Sequence, residues 1–177
     1  SDVPAVVSAE RIAKDMCGDS STLSGRMLLV GPAGSGKSVF SRTLVRRAVK
    51  AADAALLPIR VPVAELARIL TGDLGFVATH KDLFDYWAEK RFLKEGAKQI
   101  REHRGRLLLI LDGFDEAAEQ RVAVVTWLRS WLKAHSSAQV LLTTRPSGVD
   151  AEALSAGQVR RPRKTYVEDI DTSSSSL

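Results

Sequence analysis

The residues able to do chemistry concentrate in three short stretches of this chain. Gly31-Pro32-Ala33-Gly34-Ser35-Gly36-Lys37-Ser38 satisfies G-x-x-x-x-G-K-[ST] and falls between an apolar run and a helical one, which is where a phosphate-binding loop must sit. Glycines let the backbone turn tightly enough for the N–H groups from Gly34 to Ser38 to converge on a β-phosphate. The positive end of the helix that follows adds to their pull. Lys37 is placed to span the β- and γ-phosphates, and the Ser38 hydroxyl to ligate Mg2+. Gly31, Gly34, Ser35, Gly36, Lys37, Ser38 and Val39 therefore form the expected nucleotide-binding set.

The second stretch is Leu107-Leu108-Leu109-Ile110-Leu111-Asp112-Gly113-Phe114-Asp115-Glu116. An acid at the C-terminal end of a buried strand lands in the crevice where open α/β sheets bind ligands, which puts Asp112 beside the phosphate loop as a metal holder acting through water. Asp115 and Glu116 lie a turn further on, where either can polarise an attacking water. Carboxylates crowded at one strand end repel each other unless a cation intervenes, so their clustering argues for a metal. In the third stretch, Leu141-Leu142-Thr143-Thr144-Arg145-Pro146, an arginine closes another apolar strand. Its guanidinium matches phosphate oxygens, so Arg145 is the expected reader of the γ-phosphate.

The elements that must carry these stretches can be read from apolar runs and breakers. Arg26 to Val30, Leu56 to Val63, Leu107 to Leu111 and Gln139 to Thr143 read as strands. Pro58 and Pro62 each remove a ladder donor and push the second strand to the sheet edge. Helices are expected over about Gly36 to Ala52, through much of 64–104, and over about Ala118 to Ala134. The last has an inward stripe of Val122, Val125, Leu128, Trp131 and Leu132. Phe84, Trp87, Ala88, Phe92 and Leu93 recur at helical spacing and read as core. Strands alternating with helices specify an α/β domain with a mainly parallel central sheet flanked by helices.

The expected organisation is a lead-in over 1–25, with a short helical stretch from Ser8 to Met16, a core over 26–156, and a tail over 157–177. That tail is basic and then serine-rich, and reads as an unfolded end or a cut before a further domain. The chain reads as a piece of something longer. Its 177 residues are enough for one domain with a real core. No apolar run approaches the about 18 residues of a membrane span. A lone Cys17 excludes an internal disulfide and favours a reducing, cytoplasmic setting. A net charge of +5 is a weak field over this length, and glutamates intersperse the basic helices between 89 and 106, so a nucleic-acid partner is not expected. His80, His103 and His135 have no metal-ligand spacing and read as solvent-facing.

In this order and spacing the three stretches resemble the NACHT module of the STAND class of P-loop signalling NTPases. GPAGSGKS matches its phosphate loop. LLLILDGFDE has the family's small residue, Gly113, directly after the first acid, with further acids at Asp115 and Glu116. LLTTRPSG resembles its first sensor, with Arg145 as the sensing residue. The resemblance covers about Met27 to Gly148. It implies a three-layer fold in which the phosphate-loop and metal-binding strands are separated by another strand. It also implies ATP or GTP binding with Mg2+, slow hydrolysis, and a switch that controls self-association in signalling, innate immunity or defence. Effector and sensor regions would lie outside this sequence, and nothing after Gly148 resembles the family's small helical and winged-helix domains. The competing readings are a non-hydrolysing module whose nucleotide stabilises a partner-binding surface, and a nucleic-acid-dependent ATPase.

Overall fold

Leu107–Asp112 is buried at every position, as a strand flanked on both sides and covered on both faces must be. It is the third strand, β3, of a sheet that also contains β1 (Arg26–Val30), β2 (Leu57–Pro62), β4 (Gln139–Thr144) and β5 (Thr165–Tyr166). The computed structural model describes residues 26–50, 56–79, 81–148 and 165–166. The Ser8–Met16 stretch, Cys17 and His80 fall outside them. All pairings are parallel and the strand order is β2-β3-β4-β1-β5. The phosphate-loop strand and the acidic strand are thus separated by β4. β2 occupies the edge that its prolines dictate.

The helices are α1 (Lys37–Lys50), α2 (Val63–Gly72), α3 (Leu74–Thr79), α4 (Leu83–Arg91), α5 (Lys94–Glu102) and α6 (Arg121–Ala134). Strand side chains alternate between the two faces, and two separate apolar clusters result. Leu29, Leu108, Ile110 and Leu141 pack against Phe40, Leu44 and Ala48 of α1. Leu28, Leu109, Leu111 and Leu142 pack on the opposite face with α2, α4 and α6, through Leu66, Phe84 and Trp131 among others. Helix, sheet, helix gives three layers. Leu109 is fully buried in the larger cluster. Leu109→Ala is expected to cost about 2–5 kcal/mol of unfolding free energy, read as a lower urea midpoint at unchanged slope.

Two expectations about helix faces need correction. Val122 is 76% exposed, because α6 starts at Arg121 and turns Val124, Trp131 and Leu132 inward; a residue two positions from Val124 lies on nearly the opposite side of the helix. Phe92 and Leu93 do not continue the stripe of Phe84, Trp87 and Ala88. α4 ends at Arg91, the pair forms the break before α5, and Leu93 is 86% exposed. Thr165–Tyr166, inside the segment expected to be an unfolded end, pairs with Leu29 and Val30 as the strand beside β1.

Several of the basic residues around α4 and α5 meet acids. Lys81 and Arg101 both reach Glu89, at 2.5 and 2.9 Å, and Arg104 pairs with Asp85. His135 departs from the solvent-facing expectation, being partly buried against Trp131 with ring centroids 4.7 Å apart. No described helix is long and apolar enough to cross a membrane.

Candidate functional site

Parallel strands bring the C-terminal ends of β1, β2, β3 and β4 to one edge of the sheet, and all three chemical stretches leave from that edge. After Val30 the chain turns at Gly31, whose N–H donates to the Thr144 carbonyl at 3.1 Å. The loop is therefore stitched to the end of β4 before it begins. Gly34 and Gly36 adopt φ of +80° and +79°, which L side chains resist, and they turn the chain into α1. The Ser35 hydroxyl closes the loop from within by donating to the Pro32 carbonyl at 2.9 Å.

Lys37 folds back across this loop. Its Nζ donates to the carbonyls of Gly31 and Pro32, both at 2.7 Å, and lies 3.4 Å from the Ser35 hydroxyl. Partial burial pushes its pKa below the usual lysine value, and Arg145 acts the same way, while Asp115 and Asp112 oppose them. Lysine, both aspartates and the arginine therefore share one electrostatic neighbourhood. Ser38 and Val39 are exposed on the first turn of α1.

Asp112, at the tip of β3, is buried and fully engaged. Its Oδ1 accepts from the Thr143 hydroxyl at 2.7 Å and lies 3.3 Å from the Ser41 hydroxyl. Its Oδ2 accepts from Arg60 Nε at 3.0 Å and from a second guanidinium nitrogen of the same side chain. Burial pushes its pKa up. The Thr143 hydroxyl, the hydrogen bonds and charge of Arg60, and the Ser38 hydroxyl outweigh that and hold the carboxyl below its ordinary value. Thr143 also accepts from the Gly113 N–H at 3.0 Å, locking the tips of β3 and β4 together.

Beyond Asp112 the chain turns through Gly113 at φ +80° into a 3-10 segment, Phe114–Gln120. A Cβ on Gly113 would meet the Glu116 carboxyl carbon at 3.0 Å, so the small residue makes room for the Glu116 carboxylate against the turn. Gly113→Ala combines a left-handed backbone with that contact. It is expected to cost about 1–3 kcal/mol, seen as a lowered Tm together with a displaced Glu116.

Asp115 turns to the end of β4. Its Oδ1 accepts the Arg145 N–H at 3.0 Å and its Oδ2 lies 3.0 Å from Arg145 Nε. Glu116 is exposed, and its carboxylate has no hydrogen-bond partner among the described residues.

The structure thus gathers Lys37, Asp112, Asp115 and Arg145 as the sequence suggests, but one inference from the sequence is corrected. The clustered carboxylates do not require a cation between them, because Arg60 neutralises Asp112 and Arg145 neutralises Asp115. Among the described residues no group of three or more His, Cys, Asp or Glu could hold a metal ion. The oxygens available fit Mg2+ all the same, since that ion takes one or two protein oxygens and completes its shell with water and phosphate. The Ser38 hydroxyl already bears on Asp112, as a shared ion would need. Sequence reasoning missed Arg60, Ser41 and Thr143. Arg60 had a signal, being the one charge in the apolar run LLPIRVPV. A cavity of about 900 Å³ beside α2 and α4 is lined by Glu65, Arg68, Leu74, Trp87 and Lys90 among others, and takes in none of these strand tips.

A parallel three-layer sheet with a glycine-rich loop and acidic and basic strand tips at one edge defines a P-loop NTPase, a nucleotide-binding class. The NACHT domain profile matches residues 25–176, and the chain belongs to that family. No curated protein matches it. Among solved structures it is similar to domain III of the Thermotoga maritima replication initiation protein DnaA, with a TM-score of 0.51 at 14% identity over 91% of this chain and 59% of that one. It is also similar to the DnaC helicase loader, with a TM-score of 0.47 at 13% identity over 86% and 78%. A third is the FIGL-1 AAA domain in complex with ADP, with a TM-score of 0.45 at 17% identity over 94% and 54%. The chain spans little more than half the length of the DnaA and FIGL-1 domains. At these identities the DnaA match speaks for the fold alone.

Proposed function

We propose that this domain binds ATP or GTP with Mg2+, hydrolyses it slowly, and serves as a nucleotide switch for self-association in a signalling or defence protein. The observation that carries the reading is the convergence at one sheet edge of a glycine-turned loop, the Lys37 ammonium, the Asp112 carboxylate and the Arg145 guanidinium. Their charges lie close enough to act on one another.

In the proposed mechanism Lys37 exchanges its loop carbonyls for β- and γ-phosphate oxygens, while amides from Gly34 to Val39 surround the β-phosphate. Ser38 and Asp112 would hold Mg2+, which would neutralise charge on the phosphates. Asp115 and Glu116 then divide the work expected of either. With both oxygens on Arg145, Asp115 aims that arginine, and Glu116, the carboxylate without a partner, orients water. Arg145 reads the γ-phosphate by leaving Asp115 for it.

Calorimetric titration with ATP, GTP and ADP, each with and without Mg2+, tests the binding step. Triphosphate preferred over diphosphate in the presence of Mg2+ is the expected result. No heat with any nucleotide would sink the reading. Binding with no phosphate release would move the domain to the non-hydrolysing alternative.

A further inference from the structure

Arg60 belongs to neither the phosphate loop nor the strand-tip stretches, yet it contacts the acid expected to hold the metal through two guanidinium nitrogens. It sits on the edge strand β2, opposite Ile110 of β3. Side chains two apart on a strand share a face, so its guanidinium runs along the sheet to the tip, where Asp112 stands opposite Pro62. There it grips Oδ2 through Nε at 3.0 Å and through a second nitrogen. With Thr143 and Ser41 at Oδ1, both oxygens have donors. The carboxylate side chain is 4% exposed and the arginine 28%, so the guanidinium lies at the boundary between the buried acid and the crevice.

A buried carboxylate with no counter-charge is costly. A divalent cation could supply that charge in this class of protein, but here arginine already does. We infer that Arg60 is a resident stand-in for the metal: it neutralises Asp112 when no Mg-nucleotide is bound, and thereby sets how much Mg2+ is needed to tighten nucleotide binding. An ion held at Asp112, directly or through water, comes within a few ångströms of the guanidinium, and the two positive charges repel. Arg60 is a positioning residue in this account, acting through Asp112 and touching no phosphate. The inference rests on the nucleotide-binding reading above.

The variant is Arg60→Met, which keeps the apolar stem and removes the charge. Two readouts besides turnover are thermal midpoints with Mg2+ alone, and nucleotide affinity across a Mg2+ titration beginning in EDTA. Mg2+ alone is expected to raise the midpoint of the variant and leave wild type unchanged. The Mg2+ concentration giving half-maximal tightening is expected to fall by about tenfold or more, since unit charges a few ångströms apart interact strongly even at partly solvated sites. Affinity in EDTA should stay within about threefold, a difference below the tenfold that 1.4 kcal/mol represents.

An unchanged Mg2+ midpoint overturns the inference. So does a loss of affinity that is equal with and without Mg2+, which would make Arg60 a phosphate ligand. If Arg60→Met does not fold in either condition, Arg60→Gln carries the same measurement, because it too removes the charge while keeping a polar donor. It is expected to lower the Mg2+ requirement in the same direction, and no change overturns the idea. Wild type that binds no nucleotide would instead remove the functional reading itself.

Discussion

Lys37→Ala is expected to abolish stabilisation by Mg-nucleotide while leaving the fold in place. A ligand at about 100 times its Kd stabilises the folded state by ~2.7 kcal/mol. For a domain of this size that is about 5–10 °C in Tm. The ammonium is held by the carbonyls of Gly31 and Pro32, on the loop whose amides would take the phosphates. It is therefore pre-placed at the mouth of the cradle and needs only to swing outward. The variant loses the one cation within the loop, and the amides alone must hold a group of several negative charges, which they do far less well. Without nucleotide the cost is small. Lys37 is partly exposed, water can reach part of what it leaves, and a net hydrogen bond is worth about 1 kcal/mol. A nearly normal Tm without nucleotide, joined to a flat response to Mg-ATP and Mg-GTP, is the expected pair of results. A wild-type response in the variant would remove Lys37 from the site.

Much of this site was legible because its parts are local. A glycine-rich loop between a strand and a helix, and polar residues ending apolar runs, are patterns of a few consecutive positions. They survive without any knowledge of what lies beside them. The edge placement of β2 was equally local, following from Pro58 and Pro62. What was not legible is pairing across the sheet. That Thr143 would donate to Asp112 from 31 positions away, or Arg60 from 52, depends on register between neighbouring strands, which no local pattern states. The electrostatic argument for a cation failed for the same reason, since a count of nearby acids cannot see arginines delivered from other strands. The misplaced helix faces have a different origin. Val122, Val125, Leu128 and Trp131 are spaced by three, and each such step falls about 60° short of a full turn. Over three steps Val122 ends on the opposite side of α6 from Trp131, which is buried.

The two arginines give the site a definite electrostatic state, and this bears on which acid does chemistry. Asp115 is 11% exposed at its side chain and occupied at both oxygens by Arg145. Glu116 is exposed, and its carboxylate carries no hydrogen bond among the described residues. A carboxylate already committed to a guanidinium is a weak acceptor for a water proton, whereas a free one beside the crevice can orient and polarise that water. Glu116→Gln is therefore expected to lower kcat by about 10²–10⁴-fold, the usual worth of a positioned acid or base. Nucleotide Kd should change little, because the side chain touches no phosphate in this scheme.

Asp115→Asn should behave differently. The neutral amide weakens its hold on Arg145, so discrimination between tri- and diphosphate is lost along with turnover. Measuring kcat and the ratio of ATP to ADP affinity in both variants separates the roles. If Glu116→Gln turns over at the wild-type rate while Asp115→Asn keeps its phosphate discrimination and loses turnover, the assignments are reversed. Asp115 must then release Arg145 before it meets the water, which would make the opening of that ion pair part of the catalytic cycle.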